Sequence, residues 1–210
     1  ERLLVTLSDQ KDTLLAEMNH RVANSLQIIA SILLLKARSV QSEESRGHLE
    51  DAHRRVMSVA ALQEQLKAAG NGEKIELGDY LEKLCETLAG SMIGDKRSIT
   101  LSVVADAGSV VSEQVVSIGL IVTELVINAF KHAFPADMNT GHIVVKYHVN
   151  GNDWTLSIAD DGVGMAAKPK DRPVGLGTSI VKALAQQLGA EVETASSAQG
   201  TTVSIVHHAL

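Results

Sequence analysis

The stretch Glu124-Leu125-Val126-Ile127-Asn128-Ala129-Phe130-Lys131-His132 sets four polar residues into an otherwise apolar segment. Glu124, Asn128, Lys131 and His132 lie three or four residues apart, so they share one broad face of a helix. The surrounding pattern predicts that helix over residues 113–134. A polar stripe on a helix that is otherwise buried is costly unless it meets partners. A nucleotide with its magnesium ion would supply them. Asn128 offers a neutral oxygen to Mg²⁺, Lys131 a point charge to phosphate, and Glu124 a carboxylate able to accept a proton. A solvated helix face would show the same spacing, so the stripe needs support from elsewhere in the chain.

Outward from this helix, short β-branched runs alternate with helical patterns after Gly72. Tyr80 to Ala89 reads as a helix and Ser98 to Val104 alternates as a strand. Ile143 to Val149 and Trp154 to Ala159 read as strands, joined across Asn150-Gly151-Asn152-Asp153, a strong hairpin signal. Thr178 to Leu188 is a helix closed by Gly189, and Ala190 to Ala195 and Thr201 to Val206 are strands across a Gly200 turn. Three helices over one mostly antiparallel sheet make an α+β sandwich.

The N-terminal part has a different texture. Residues 1–37 contain no Gly or Pro, and apolar residues recur at Leu7, Leu14, Met18, Val22, Leu26, Ile29 and Leu33. Steps of seven, four and three define a helical seam. A polar turn is expected over 39–46. A second helix follows, with Leu49, Ala52, Val56, Val59, Leu62 and Leu66 in similar spacing. Ala68-Ala69-Gly70-Asn71-Gly72 reads as a helix stop and linker. The domain boundary therefore falls at 72/73: a helical hairpin over 1–72 and a sandwich over 73–210. Two such hairpins from two chains would close a four-helix bundle, so a homodimer is expected.

Composition narrows the classes. The 210 residues carry a formal charge of −6, which gives no support for nucleic-acid binding. Aromatics are 2% of the chain, so Leu, Ile, Val and Ala must build the core. Cys85 is the single cysteine, which excludes an internal disulfide, and no Cys/His cluster has metal-ligand spacing. A reducing, cytoplasmic setting fits. No apolar run is expected to span a bilayer, which takes about 20 residues. The chain starts at Glu1 rather than Met, so an upstream sensor domain is expected outside this fragment.

Three further groups carry chemistry. His20 lies two residues from both Met18 and Val22, so helical spacing turns it away from their seam and towards water. Glu17 and Asn24 share its face. A neutral imidazole nitrogen can attack phosphorus, and a nearby acceptor can orient the ring or take its proton. A solvated surface histidine is the plainer alternative, since the chain has eight histidines. Asp160-Asp161-Gly162-Val163-Gly164 follows a strand directly. A carboxylate at a strand end can accept a hydrogen bond from an adenine amino group, and the glycines let backbone approach a ligand closely. Gly175-Leu176-Gly177-Thr178 opens a helix, where free N–H groups and the dipole favour phosphate. Neither a Rossmann fingerprint nor a Walker-type loop is present. Lys168, Lys170 and Arg172 between the two glycine segments suit a short basic lid over phosphates.

In order, these pieces resemble the boxes of sensor histidine kinases. His20-Arg21-Val22-Ala23-Asn24-Ser25-Leu26-Gln27 looks like the H box of the subgroup related to the HWE kinases. Glu124 to His132 looks like the N box, and Asp160 to Gly164 and Gly175 to Gly177 look like the two glycine boxes. Gly200-Thr201-Thr202 is similar to the Gly-Thr segment near the end of such domains. The likeness spans nearly the whole chain. It implies a dimerisation and histidine-phosphotransfer hairpin, then a Bergerat-type ATP-binding domain. It further implies that His20 is the phosphoacceptor, Asn128 the Mg²⁺ ligand and Asp160 the adenine contact. Gly162, Gly164, Gly175, Leu176, Gly177, Thr178 and Thr201 would shape the ATP pocket with Lys131 and His132, and a response regulator receiver domain would take the phosphate. Glu124 corresponds to the general base of related ATPases. Three positions depart from the pattern. Ala23 replaces the usual Lys and Ser25 the usual second Asn. Arg21 stands where the larger kinase class has an acid, which leaves Glu17 as a candidate proton acceptor. A non-enzymatic phosphotransfer adaptor with an ATP-like domain is the alternative reading, followed by an ATP-hydrolysing machine of the same superfamily and a Ser/Thr protein kinase.

Overall fold

The computed structural model describes the chain apart from Glu1, residues 70–73, 93–97 and 165–175, and Leu210. Side chains of residues 2–20, 44, 58, 61–69, 91, 112, 113 and 176 also lie outside the described set. The chain divides into two compact units, Glu1–Lys74 and Ile75–Leu210.

The first unit is a pair of helices packed on each other, α1 (Arg2–Ser39) and α2 (Glu43–Ala69). Helix α2 begins earlier than the polar run 39–46 suggested. Ser42 Oγ accepts the Ser45 N–H at 3.3 Å, and the Ser42 carbonyl accepts the Arg46 N–H at 2.9 Å. The polar residues are thus a serine-capped first helical turn. The line of contact between the helices also differs from the expected seam. Ala23, Ala30 and Ala37, seven residues apart, are buried on α1, as is Ala60 on α2. Small side chains let the helices approach closely, and His53 Nδ1 reaches the Ala30 carbonyl oxygen at 2.8 Å. Leu26 and Leu33 are half-buried beside that line. Val22 and Ile29, expected on the buried seam, are 43% and 46% exposed. Two helices share a single contact line, which leaves the rest of a wide apolar stripe outside it.

In the second unit, β1 (Lys74–Glu76) pairs with β3 (Ser109–Val111), two three-residue strands that periodicity did not reveal. Between them run α3 (Leu77–Met92) and β2 (Ser98–Ala105). Then come α4 (Ser112–His132), β4 (Thr140–Asn150), β5 (Asp153–Asp160), α5 (Leu176–Gln187), β6 (Ala190–Ser197) and β7 (Gly200–His207). The main sheet has the order β2-β4-β5-β7-β6. Its β2–β4 pair is parallel and its other pairs antiparallel, the mostly antiparallel α+β architecture expected. The β4–β5 hairpin turns at Gly151, whose φ of 63° is the left-handed conformation glycine adopts most readily. Alternate strand residues Ile99, Ile143, Val145, Tyr147, Leu156, Ile158 and Ile205 are buried against the helices, whereas Thr100, His142, Lys146 and His148 face out.

Helix α4 is the centre of the core. Val115, Ile118, Ile121, Val122, Val126 and Ile127 are each no more than 1% exposed. Its segment Gln114–His132 is long and apolar enough to cross a membrane, contrary to the sequence expectation; 72% of the apolar window is buried inside the fold, as a core helix would be. The core is aliphatic with a few well-placed rings: Tyr80, Phe130, Phe134 and Tyr147 are all buried. Burial pushes the Cys85 thiol up to about 12, so it stays protonated at neutral pH.

Tyr80 rests its hydroxyl against Gly119 of α4, and that buried oxygen has no hydrogen-bond partner among the described residues. A Cβ at position 119 would collide with the Tyr80 hydroxyl and lie 3.0 Å from its ring carbon Cζ. Gly119→Ala should therefore destabilise the second unit by about 1–3 kcal/mol. In a Tyr80→Phe background the cost should shrink by at least half, because the colliding atom is gone. Urea unfolding of the four proteins of this cycle checks it; an unchanged penalty would place the clash elsewhere.

Candidate active site

The site forms where three elements of the second unit converge: the end of β5, the start of β7 and the C-terminal end of α4. Strand β5 ends at Asp160, opposite Ile143 of β4 on one side and Thr201 of β7 on the other. Asp160 Oδ1 accepts the Gly162 N–H at 3.1 Å and the Thr201 N–H at 3.2 Å. Two donors on one oxygen fix the plane of the carboxylate. An ionised carboxylate offers about four acceptor positions, and the geometry places this one at the end of the central strand of the sheet.

Beyond Asp160 the chain leaves the sheet and passes under α4. The Val163 N–H donates to the Ala133 carbonyl at 2.9 Å, just past the last turn of α4. Gly162 makes this approach possible: a Cβ there would collide with the Ala133 carbonyl oxygen. Gly164 adopts φ of 69°, and a Cβ there would strike the Ser197 carbonyl oxygen. Both glycines of the loop are therefore required by packing against α4 and the β6–β7 turn. Thr201, expected as a pocket residue, acts here through its backbone N–H on Asp160, while its hydroxyl lies 3.0 Å from Ser196 Oγ.

The polar stripe of α4 emerges from the core along its length. Glu124 is 2% exposed, Asn128 is half-buried, and Lys131 and His132 are exposed. Thr123, next to Glu124, is also buried, with its hydroxyl donating to the Gly119 carbonyl at 2.8 Å. The stripe thus runs from a sequestered carboxylate to an exposed cation, ending at the turn that holds the Gly162 loop. Such a gradient suits a ligand whose charged end is wet. Helix α5 starts at Leu176, two residues earlier than expected, so Gly177 lies inside its first turn and is buried, while Thr178 is exposed. Gly175, the Leu176 side chain and the basic residues Lys168, Lys170 and Arg172 lie outside the described residues. Along this stripe Asn128 offers one neutral amide oxygen, the type of donor that hard divalent ions take.

His20 and Glu17 belong to α1, and their side chains lie outside the described residues. Helical spacing puts position 20 on the face of Asn24, Gln27 and Ser31, all of which are exposed. Ala23, where the resemblance leads one to expect Lys, is the first of the three buried alanines of the hairpin contact. Sequence reasoning missed two contributors: Ala133, whose carbonyl docks the loop, and the His142–Asp161 pair, in which the His142 N–H donates to Asp161 Oδ1 at 2.6 Å.

Comparison with known proteins matches two family descriptions. Residues 17–92 match the histidine kinase family HisKA_2, and residues 113–209 match the histidine kinase-, DNA gyrase B- and HSP90-like ATPase family. The sensor histidine kinase PdtaS of Mycolicibacterium smegmatis is 30% identical over 178 residues, which is 83% of this chain and 35% of that protein. Blue-light-activated histidine kinase 2 of Erythrobacter litoralis is 32% identical over 203 residues, or 92% of this chain and 56% of that protein. The chain therefore spans between a third and just over half of these relatives. Among solved structures, the histidine kinase domain of an Erythrobacter litoralis blue-light activated histidine kinase superposes with a TM-score of 0.68 at 27% identity. That match covers 88% of this chain and 95% of that one.

Proposed function

We propose that this chain, which matches the histidine kinase family HisKA_2 over residues 17–92 and the histidine kinase-, DNA gyrase B- and HSP90-like ATPase family over 113–209, is a histidine kinase core that transfers the γ-phosphoryl group of Mg-ATP to His20. The observation that carries this reading is the Asp160 carboxylate, held by two backbone N–H groups at the mouth of a glycine loop docked on α4. That is an acceptor suited to the adenine amino group. Asn128 would hold Mg²⁺, and Lys131, His132 and the first turn of α5, at Leu176, Gly177 and Thr178, would face the phosphates. Bound magnesium would neutralise charge on the transferring phosphoryl group, and the protein's part is chiefly positioning.

The proton leaving the His20 imidazole goes to a carboxylate, Glu17 from its own helix face or Glu124 from α4. The phosphate then passes to an aspartate of a response regulator receiver domain, docking where Asn24, Gln27 and Ser31 are exposed. Val22, Ile28, Ile29, Ile32 and Leu35 of α1, each 43–64% exposed, give the hairpin an apolar face that a second copy would cover. Monomers rarely leave such residues contiguous, so the working form is a homodimer. The formal charge of −6 gives no support for a nucleic-acid partner. An upstream sensor domain would set the activity, and this region would work in the cytoplasm.

Incubation with [γ-³²P]ATP and Mg²⁺ should place acid-labile, base-stable phosphate on the chain. Acid-stable phosphate on a partner would indicate a Ser/Thr kinase. Steady ATP turnover without a phosphoprotein would indicate an ATPase. Calorimetry showing no ATP binding would leave only the adaptor.

A further inference from the structure

We propose that Asp161 is a positioning residue for the nucleotide loop: its side chain ends the β4–β5 ladder and sets where the backbone departs towards Gly162. The inference rests on the reading of Asp160 to Gly164 as the adenine-side loop and adds to it a residue that touches no ligand.

In the regular antiparallel register, Ile143 faces Asp160, so the next pair is His142 with Asp161. A hydrogen-bonded pair would exchange two backbone bonds. Here the first is normal: the Asp161 N–H donates to the His142 carbonyl at 3.2 Å. The second is replaced. The His142 N–H donates to Asp161 Oδ1 at 2.6 Å, so a carboxylate oxygen stands in for the backbone carbonyl of its own residue. The Asp161 backbone carbonyl is thereby relieved of the ladder, and the chain can turn away at that residue. The strand partner is itself anchored, because His142 Nδ1 lies 2.6 Å from Thr100 Oγ1 on the neighbouring strand β2. One residue later the backbone must pass the Ala133 carbonyl, with clearance only for a glycine at 162. The same loop supplies the Gly162 N–H that orients Asp160. Displacing the departure point therefore displaces both the loop and the donor that aims the adenine acceptor.

The molecule contains its own control. Asp106, just beyond β2, extends the pairing to β4 in a comparable way. Its N–H donates to the Tyr147 carbonyl at 2.9 Å, and its Oδ2 accepts the Val149 N–H at 2.9 Å with His148 Nδ1 at 2.6 Å. It does so at the far end of β4, away from the glycine loop.

The test compares Asp161→Ala, Asp161→Asn and Asp106→Ala, with Mg-ATP affinity read by calorimetry, KM and kcat by phosphate incorporation, and stability by thermal unfolding. Asp161→Ala should raise Kd and KM for ATP about tenfold, about 1.4 kcal/mol, with kcat much less affected. Asp161→Asn keeps an oxygen acceptor and should restore affinity to within about threefold, well under 1.4 kcal/mol. Asp106→Ala should lower the melting temperature about as much as Asp161→Ala while leaving ATP affinity unchanged. Equal losses of affinity from Asp161→Ala and Asp106→Ala would reduce the effect to general destabilisation and overturn the proposal. So would an Asn variant as weak as the Ala variant. Should Asp161→Ala fail to fold, hydrogen exchange in the wild-type chain decides: the His142 amide must be protected, although no backbone carbonyl accepts it. Rapid exchange there overturns the assignment. Failure of the wild-type chain to bind Mg-ATP would instead sink the underlying functional reading, whatever these variants did.

Discussion

His20→Ala should abolish acid-labile phosphate incorporation while leaving Mg-ATP affinity within about twofold, because the two functions reside in separate compact units. Removing a nucleophile removes the covalent step itself, and losses of this kind run to at least about 10³-fold. No other histidine of the hairpin is an equivalent substitute. His48 lies in α2, and His53, also in α2, has its Nδ1 against the Ala30 carbonyl at 2.8 Å. A ring committed to a helix contact is poorly placed to attack a phosphorus atom. The same assay separates the two candidate bases. If Glu17 takes the proton, Glu17→Gln should slow labelling by about 10²-fold or more without changing ATP affinity. If Glu124 does so, Glu124→Gln carries that loss, and as a 2% exposed residue of the core helix it should also lower stability. Labelling that survives His20→Ala undiminished would remove His20 from the mechanism.

The outward face of α1 adds a concentration dependence. With Val22, Ile29 and Ile32 exposed, a charged substitution such as Ile29→Glu should shift sedimentation from dimer to monomer. The Ala23–Ala30–Ala37 contact within the hairpin should remain intact, since it lies on another face of the helix.

The elements of the second unit were legible because their apolar residues keep a clear period: 2 along β4 and β5, and 3.6 along α4. β1 and β3 were not, since three residues hold no period to read. The start of α2 was hidden for the opposite reason, as a serine cap and its following polar turn look like a loop. The alanine line of the hairpin gave no signal, because bulky Val22 and Ile29 dominate any hydropathy reading while small residues decide how closely helices approach. Within the candidate site, Asp160, Gly162 and Gly164 stand out in sequence because they fall within five consecutive residues. The partners that aim them do not. Thr201 acts on Asp160 from 41 residues away through a backbone N–H, and His142 meets Asp161 from 19 residues away the same way. Every residue except proline has such an N–H, so sequence carries no mark of the one that is used.

Asp160→Asn is the sharpest test of the nucleotide site, because it alters chemistry and almost no shape. The amide oxygen can replace Oδ1 and keep both N–H bonds, from Gly162 and Thr201, so the loop should stand as before. The second position of the group changes from an acceptor to an NH₂ donor. An adenine amino group arriving there is also a donor, so one hydrogen bond to a charged acceptor is lost and two donors confront each other. A charged hydrogen bond contributes about 1.5–3 kcal/mol and an unsatisfied buried donor costs about 1–3 kcal/mol. Together these predict a fall in ATP affinity of about 10²-fold or more. Guanine presents O6, an acceptor, where adenine presents its amino group. GTP should therefore lose much less affinity than ATP, and the preference between the two should narrow or invert. Calorimetric titration of both nucleotides into both proteins reads the result directly. Equal losses for ATP and GTP would mean that Asp160 supports the loop without reading the base, and the adenine contact would have to be sought elsewhere along the β5–α4 edge.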